Sequence, residues 1–405
     1  MAKKTIDVQN TGMFLAEYPQ FTPKHRSLMA KLLTRDIYNH LKDRKTSIGY
    51  TLDKAIQTGV DNPHVGVGIV AGDEESYFIF KEIFDPIIEG WHGFKPDAAH
   101  KTDLDSSHIK DARLPDEFII STRIRAGRNI RAMPLPPATS RGHRREIMNV
   151  IQSALYDITG DLKGQFHKLS EMTSEEEQKL INDHYLFQKP GSATILAAAG
   201  AARDWPNGRG IFHNDEKTFL VWINEEDHIR VISMQRGGDV GAVFQRYCRA
   251  MKLVEKNIRS KGKEFMYDDR HGFICTCPSN LGTSLRASVM IKLPKLSENR
   301  GRFELICKQL HLQPRGSSGE HSDSIMGIWD VSNKQRIGHS ETELVQTMVN
   351  GVKLLIAMEL KLVTGGSIDD LIPKEPIPSI YIQTAETYKA SEEPITVQPT
   401  TEYGI

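Results

Sequence analysis

The segment Thr218-Phe-Leu-Val-Trp-Ile-Asn-Glu-Glu-Asp-His-Ile-Arg-Val-Ile-Ser-Met234 decides the fold of this chain. Its two ends, Thr218–Asn224 and Ile229–Met234, are rich in β-branched and aromatic residues, and a short polar turn joins them. This pattern predicts two successive strands. Phe118–Arg125 is a third run of the same composition. The sequence therefore predicts that strands dominate the chain from about Asp116 onward.

Helical patterns lie between these strands, near residues 142–156 and 240–260. A longer amphipathic helix is predicted over Glu341–Leu362. Its predicted inner stripe consists of Leu344, Met348, Val352, Leu355 and Met358. We therefore place a strand-rich domain with interleaved helices at residues 116–375.

The first hundred residues follow a different pattern. Lys24–Lys42 carries apolar residues at helical spacing with basic residues between them, which predicts a small helical domain over residues 1–105. The stretch 95–115 is polar and rich in turn residues, and we interpret it as the connection between the two domains. The last segment, 376–405, is rich in Pro, Thr, Glu and Tyr, which predicts a disordered tail.

The composition excludes several classes of protein. The 405 residues suffice for two domains with ordinary cores, since 39% are hydrophobic and 26% are charged. Lys and Arg together number 52, as do Asp and Glu, so no overall field attracts the chain to nucleic acid or to an anionic membrane. No apolar run has transmembrane length, and the first residues lack the apolar core of a secretory signal, so we expect a cytoplasmic protein. The four cysteines lack zinc-ligand spacing, which predicts reduced thiols and no structural metal.

The stretch Cys277-Pro-Ser-Asn-Leu-Gly-Thr-Ser-Leu-Arg286 combines a thiol, a turn and a strand-borne arginine. Backbone N–H groups at such a turn can lower the pKa of a thiol. One interpretation is an active-site signature, and the alternative is a buried cysteine before a turn.

Arginines are the candidates for phosphate binding, because the sequence contains neither a GxxxxGK[ST] P-loop nor a GxGxxG motif after a strand. The two-residue period of a strand places Ser121, Arg123 and Arg125 on one face. Neighbouring arginines repel each other unless an anion lies between them. The candidate set of five guanidinium groups is completed by Arg230, Arg286 and Arg315. An edge strand with solvated charges is the alternative interpretation of this pattern.

Two adjacent glutamates, Glu225 and Glu226, lie in the turn after the strand Thr218–Asn224. Strand alternation predicts that their side chains point in different directions, so that one could serve Mg²⁺ and the other a substrate. An acidic hairpin turn without a function is the alternative. A third carboxylate, Glu320, lies in the segment Arg315–Ser322, whose glycines and serines predict a mobile lid.

These motifs together resemble those of the phosphagen (guanidino) kinases, which transfer the γ-phosphoryl group of ATP reversibly to the guanidinium of a small molecule. The similarity extends from about residue 15 to residue 373 and includes Ile56–Asn62, Ile181–Phe187 and Gly208–Asp215. It implies an α+β fold, with a small all-α N-terminal domain and a larger C-terminal domain with an antiparallel β-sheet flanked by helices. It also implies ATP/ADP with Mg²⁺ as cofactors.

The resemblance assigns a role to each matching residue. The nucleotide-binding positions it implies are Ser121, Arg123, Arg125, His213, Arg230, Arg286, Arg315 and Asp330. Glu225 matches the carboxylate that holds Mg²⁺ through water. Glu226 and Cys277 match the groups beside the guanidinium, where the thiolate would act electrostatically, and Glu226 with Glu320 could accept its proton. Outside this family context, His213 alone would be interpreted as a packing histidine.

The expected guanidino substrate is L-arginine, which would give phosphoarginine for cellular energy buffering. The short loop Asn62–Gly72 resembles the loop with which arginine kinases bind the amino-acid end of arginine through backbone groups, and its glycines permit that approach. Gly319-Glu320-His321 matches the arginine kinase lid. The implied substrate-binding residues are Val65, Gly66, Val67, Gly68, Trp91, Glu226, Cys277 and Glu320.

Other positions leave alternatives open. Segments such as Ser367–Pro373 resemble the creatine kinase branch, and Trp91, Met290 and Ser284 depart from the residues usual in the family. Taurocyamine, lombricine, glycocyamine and creatine are therefore alternative substrates. A homodimer is expected, because relatives in the creatine kinase branch are typically dimers. A non-catalytic nucleotide-binding member of the fold would have lost a clamp arginine, Glu226 or Cys277, and all of these are present.

Overall fold

The structure, a computed structural model, describes residues 17–192, 194–316 and 326–374. The predicted tail, residues 376–405, and the predicted lid residue Glu320 lie outside these ranges. Helices form the N-terminal part, and an antiparallel sheet flanked by helices forms the larger C-terminal part. The predicted α+β fold is therefore confirmed.

The N-terminal part is helical and packs around its own apolar cluster. Its helices are α1 (Leu28–Leu32), α2 (Arg35–Leu41), α3 (Leu52–Asp61), α4 (Ser76–Ile79) and α5 (Lys81–His92). The helical pattern predicted over Lys24–Lys42 is split between α1 and α2, because Leu33 is extended and the Thr34 hydroxyl accepts a hydrogen bond from the Ile37 N–H. Helix α5 ends at Gly93, whose φ of 68° is left-handed and suits a glycine cap.

The C-terminal part carries a sheet in which every pairing is antiparallel. Its strands are β1 (Ile119–Arg128), β2 (Gly164–Lys168), β3 (Gly210–Asn214), β4 (Phe219–Ile223), β5 (Ile229–Arg236), β8 (Arg286–Lys292), β9 (Leu312–Gly316) and β10 (Ile328–Asn333). Their order across the sheet is β2-β3-β4-β5-β1-β8-β10-β9. A separate hairpin pairs β6 (Tyr267–Asp268) with β7 (Gly272–Phe273).

Six helices accompany the sheet within the described residues. They are α6 (Arg141–Tyr156), α7 (Ser174–Asn182), α8 (Ile195–Ala198), α9 (Val240–Ser260), α10 (Arg300–Gln309) and α11 (Glu341–Val363). The helices predicted near 142–156, 240–260 and 341–362 are confirmed. So is the inner stripe of α11, whose five predicted residues are at most 1% exposed. No described helix is both long and apolar enough to cross a bilayer.

The two faces of the sheet differ in chemistry. Strand β1 lies between β5 and β8, and on one face Ile124, Val231 and Val289 are fully buried in the core formed with α9 and α11. Because side chains alternate along a strand, the opposite face presents Arg123 and Arg125. Burial of the apolar face in the core thus places Arg123 and Arg125 on the opposite face of the sheet.

The N-terminal apolar cluster does not stop at the connection between the two parts. It includes Leu135, Met266, Ile274, Leu281 and Ile337 from the C-terminal part. The helical part therefore packs directly against the segments that precede and follow Cys277.

A buried ion pair attaches the first turn of α11 to the end of β1. The side chains of Arg128 and Glu341 are both fully buried, and Arg128 Nη2 lies 3.8 Å from Glu341 Oε1. Glu341 also accepts hydrogen bonds from the Thr102 hydroxyl and the Asp103 N–H, so the connecting segment is held at the same point. Removing one member of such a pair leaves a buried charge uncompensated.

We expect Glu341→Gln to lower the free energy of unfolding by about 3–5 kcal/mol, because the Arg128 charge would stay buried without its counter-ion. The control is Glu359→Gln on the same helix, since Glu359 is buried but accepts only the backbone N–H groups of Lys295 and Leu296. Its expected loss is about 1–2 kcal/mol. Equal losses for the two variants in urea denaturation would contradict this account of the ion pair.

Candidate active site

The strand register brings the predicted phosphate-binding arginines onto one face of the sheet. Arg125 lies directly opposite Arg286 of β8, and Gly127 lies opposite Arg230 of β5. Arg315 of β9 joins the same face at the position opposite Asp330. Five guanidinium groups from four strands thus lie on one face of the sheet.

These guanidinium groups form a buried concentration of positive charge. Burial, together with four neighbouring arginines, lowers the pKa of Arg125 well below its ordinary value. Burial lowers the pKa of Arg123 to about 10, and Arg230 and Arg286 contribute in the same direction. The Nε and Nη2 atoms of Arg123 and of Arg286 are buried and have no hydrogen-bond partner among the described residues. A polyanion such as a triphosphate would satisfy these donors and relieve the repulsion.

Asp330 supplies part of the missing negative charge. Its Oδ2 accepts a hydrogen bond from Arg286 Nη1 at 2.9 Å. Although burial acts to raise it, the pKa of Asp330 is lowered, chiefly by Arg286. Its Oδ1 is buried without a partner in the described part of the chain. Asp330 therefore holds Arg286 in place and keeps one oxygen available for a ligand.

Sequence reasoning missed Trp222, which supports two of the arginines. The guanidinium carbons of Arg123 and Arg230 lie 5.2 Å and 5.6 Å from its ring centroid. The Trp222 Nε1–H donates to the Tyr185 carbonyl at 2.7 Å, which fixes the ring. The sequence could have indicated this role, because Trp222 and Arg230 lie in two strands joined by a short turn. The structure places them directly opposite each other in the β4–β5 pair. Cation–π contacts of this kind orient guanidinium groups without neutralising them.

The prediction that Glu225 and Glu226 point in different directions is wrong. Arg230 Nη1 lies 2.7 Å from Glu225 Oε2, and Arg230 Nη2 lies 2.6 Å from Glu226 Oε2. Both carboxylates therefore contact one guanidinium. The reason is that neither residue is in a strand: β4 ends at Ile223, and Asn224 has a φ of 56°, so the alternation of the pleat does not apply. Although burial opposes it, these carboxylates raise the pKa of Arg230.

Cys277 lies within electrostatic reach of Glu226. Burial and the charge of Glu226 raise the pKa of its thiol to about 12, against the lowering that the sequence predicts. The Cys277 Sγ lies 3.1 Å from the Ser279 hydroxyl, and Arg336 acts in the opposite direction from Glu226. Of the four cysteines, Cys277 alone is not fully buried. A positive charge placed near this thiol would favour its ionised form.

Asp227, which follows the two glutamates, ties their turn to the cysteine segment. Its Oδ1 accepts hydrogen bonds from Asn129 Nδ2 and from the Thr276 N–H, both at 2.8 Å. Burial raises its pKa to about 6, and Glu226 adds to this effect. Sequence reasoning did not single out Asp227, because its partners lie far from it along the chain.

The predicted substrate loop Val65–Gly68 is held by its carbonyl groups. Gly66 O accepts from the Leu28 N–H at 2.8 Å, and Val67 O accepts from the Met29 N–H at 3.0 Å. The N–H groups of Gly66, Val67 and Gly68 have no hydrogen-bond partner among the residues that the structure describes. A Cβ added at Gly66 would lie 2.8 Å from the Trp91 ring, so glycine is needed there for Trp91 to pack against the loop. The side chains of Val65 and Val67 are buried.

His213 lies apart from the arginines. It is on β3, in one cross-strand row with Leu220, Ile232 and Arg125, and the two residues between it and Arg125 are fully buried. Its ring stacks on His167 with centroids 5.0 Å apart. Burial lowers its pKa. The structure thus brings together the five arginines, Asp330 and the two glutamates but not His213.

The remaining predicted or flagged positions are placed as follows. Ser121 lies opposite Met290, which in turn lies opposite Asp330, so all three share the face of the arginines. Ser284 has a φ of 55°, and its hydroxyl accepts a hydrogen bond from the Gly127 N–H at 2.9 Å. Glu320 lies outside the described residues.

Comparison with known proteins was made on the sequence and on the fold. Residues 23–89 match the ATP:guanido phosphotransferase N-terminal domain, and residues 146–362 match the ATP:guanido phosphotransferase C-terminal catalytic domain. The arginine kinase of Stichopus japonicus is 52% identical over 360 residues, which are 88% of this chain and 96% of that protein. The B-type creatine kinase of Gallus gallus is 53% identical over 365 residues, which are 89% of this chain and 95% of that protein.

A crystal structure of lombricine kinase has the same fold, with a TM-score of 0.83 and 47% sequence identity. The match covers 88% of this chain and 98% of that chain. Because these matches cover both the helical part and the sheet, the chain belongs to the ATP:guanido phosphotransferase family, the phosphagen kinases.

Proposed function

We propose that this phosphagen kinase phosphorylates L-arginine with ATP, giving phosphoarginine and ADP, and that it serves cellular energy buffering. The N–H groups of Gly66, Val67 and Gly68, which have no partner in the described part of the chain, support a substrate that carries a carboxylate. The resemblance of this loop and of Gly319-Glu320-His321 to arginine kinases favours arginine among such compounds. Successive backbone N–H groups bind a carboxylate well. Arginine offers a carboxylate at the end of the molecule away from its guanidinium. The relatives include enzymes named for arginine, creatine and lombricine, so their names alone leave the substrate open.

The nucleotide phosphates would be bound by Arg123, Arg125, Arg230, Arg286 and Arg315. These groups supply donors that are already in place, so little reorganisation is needed when the triphosphate binds. Direct phosphoryl transfer is catalysed by aligning the reactants and stabilising charge, and it needs no covalent intermediate with the protein. We assign Ser121 and Asp330 to the same nucleotide site, and His213 stays a prediction from the family resemblance.

The guanidinium of the substrate would lie between Glu226, Cys277 and Glu320. Glu226 is paired with Arg230 in this structure, so the substrate would share or replace that contact. A guanidinium near the thiol favours its ionised form, which lowers the pKa of Cys277 when the substrate binds. A carboxylate in this position can accept the proton that the guanidinium loses on transfer. The protein would thus use fixed negative charge to hold the substrate and its proton.

Glu225 fits the proposed role at Mg²⁺. Within the described residues, no group of three or more His, Cys, Asp or Glu side chains could hold a metal ion. The phosphates of the nucleotide would therefore provide most of the ligands, as is usual for Mg²⁺. Glu225 lies close enough to the phosphate-binding face to act on the pKa of Arg123. When bound, the ion would neutralise phosphate charge, while Glu225 would contact it through water.

We further propose that residues 1–105 act as the substrate domain and residues 116–375 as the catalytic domain. A cytoplasmic location and a homodimer are part of the same proposal. Size-exclusion chromatography with light scattering would test the dimer.

A panel of guanidino compounds assayed with MgATP tests the substrate. Arginine is expected to be turned over fastest, with creatine, lombricine, taurocyamine and glycocyamine at least about tenfold lower in kcat/KM, which is a difference of roughly 1.4 kcal/mol. Release of ADP is the measurement. No turnover of arginine combined with rapid turnover of another compound would overturn the choice of arginine and leave the family reaction intact.

Arg125→Lys tests the phosphate site. Lysine keeps the charge but loses the bidentate geometry of the guanidinium, so we expect a fall in kcat of roughly a hundredfold to a thousandfold. The KM for the guanidino substrate should change little. Arg249→Lys on α9 is the control, because Arg249 is exposed and pairs with Asp161. A variant at position 125 with the kinetics of this control would contradict the proposed phosphate site.

Glu320→Val tests the lid. Loss of a carboxylate beside the guanidinium should raise the KM for arginine and lower kcat, by roughly tenfold or more in kcat/KM. The KM for ATP should be unchanged. Glu298→Val, at an exposed residue paired with Lys295, is the control. Full activity of Glu320→Val on arginine would refute the assignment of Glu320.

A further inference from the structure

The backbone on both sides of Cys277 is held by the N-terminal part of the chain. The Tyr77 hydroxyl donates to the Cys275 carbonyl at 2.7 Å. The Ala71 N–H donates to the Thr276 carbonyl at 2.8 Å. The His92 Nε2 lies 2.9 Å from the Pro278 carbonyl. Three carbonyls within four residues of the cysteine segment therefore accept hydrogen bonds from three separate N-terminal elements.

The side chains that make two of these contacts are buried. Tyr77 is 0% exposed and His92 is 8% exposed. Because a carbonyl can only accept, the neutral His92 ring must carry its proton on Nε2 to make this bond. Burial lowers the pKa of His92 to about 4, so the ring is neutral at physiological pH. Both donors are thus available and sheltered from water, where a lost hydrogen bond costs most.

The C-terminal part contacts the same segment at other atoms. Asp227 accepts from the Thr276 N–H, and Arg336 donates to the Ser279 carbonyl at 3.2 Å. These contacts place the segment relative to Glu226 and the sheet. The hydrogen bonds from Tyr77 and His92 place the cysteine segment relative to α4 and α5. These helices share an apolar cluster with Val67 of the loop Val65–Gly68.

We propose that Tyr77 and His92 are positioning residues for the guanidinium site, which set the place of the Cys277 thiol relative to Glu226 by binding the carbonyls of Cys275 and Pro278. The N-terminal part would thereby take part in setting the thiol as well as in binding the far end of the substrate. The proposal rests on the proposed role of Cys277 beside the guanidinium.

The test measures the reactivity of the thiol, which depends on its ionisation and exposure, without substrate. The rate of alkylation of Cys277 by iodoacetamide is compared for the wild type, Tyr77→Phe, His92→Leu and His92→Gln, with the labelled cysteine identified by peptide mass spectrometry. Cys277 is the reactive thiol to follow, since Cys248, Cys275 and Cys307 are buried. Loss of either hydrogen bond should let the thiol move away from Glu226 and toward solvent. Both changes favour the thiolate, so the rate should rise roughly threefold to tenfold.

Tyr38→Phe is the matched control for Tyr77→Phe. Tyr38 also belongs to the N-terminal cluster, with 2% of its surface exposed, and its hydroxyl donates to Asp53 at 3.0 Å, away from the cysteine segment. Its alkylation rate should equal that of the wild type. His92→Gln keeps a side-chain N–H donor and should return the rate toward the wild-type value. Rates for Tyr77→Phe and His92→Leu that do not exceed that of Tyr38→Phe would overturn the proposal.

Kinetics with the guanidino compound that the substrate panel identifies provide the second measurement. Tyr77→Phe and His92→Leu should raise the KM for that compound roughly threefold to tenfold with the KM for ATP unchanged. A rise in both KM values, with a lowered melting temperature, would indicate a merely structural role and count against the proposal. Cys277→Ser separates the two hypotheses. If it leaves the guanidino KM unchanged, the proposed role of Cys277 fails, whereas the alkylation rates still decide whether Tyr77 and His92 position the thiol.

Discussion

The mutual repulsion of five guanidinium groups on one face of a sheet is the constraint that organises this protein. Such a concentration of like charge is tolerated because the opposite face is an apolar core, in which Ile124 and Val289 are fully buried. Burial of this apolar face holds the strands in register despite the repulsion between the guanidinium groups. Asp330 and the ring of Trp222 then orient the arginines without neutralising all of them. The arginines are therefore held in an arrangement that would favour binding of a polyanion.

Arg230 connects the two halves of the site. By its strand position it lies on the face that carries the arginines, and it contacts both Glu225 and Glu226. The positive charge proposed for the nucleotide is thus linked to the negative charge proposed for the guanidinium and Mg²⁺. Burial and the charge of Glu226 raise the pKa of the Cys277 thiol, so a positive charge beside it would favour the thiolate. The nucleotide would neutralise the positive charge of the arginines, and the guanidinium of the substrate would neutralise negative charge near Glu226 and Cys277.

Sequence patterns predicted the elements of the fold well where burial follows a simple period. The run Thr218–Met234 forms two paired strands, and α11 buries the predicted stripe from Leu344 to Met358. The arginines of β1 share the predicted face for the same reason. Predictions failed where local backbone geometry departs from the period. Asn224 has a left-handed φ and turns both glutamates toward Arg230, and Thr34 caps a new helix inside the segment Lys24–Lys42.

The sequence by itself determined the family, the strand-rich and helical parts, and the residues that carry charge and nucleophilic chemistry, because these depend on residue type and on short-range periodicity. Only the tertiary structure decided which of these residues meet. It separated His213 from the arginines, brought Trp222 beneath two of them, and placed Tyr77 and His92 on the carbonyls that flank Cys277. The reason is physical: the pKa of a thiol and the orientation of a carboxylate depend on distances between groups far apart in the chain, and those distances are set by packing.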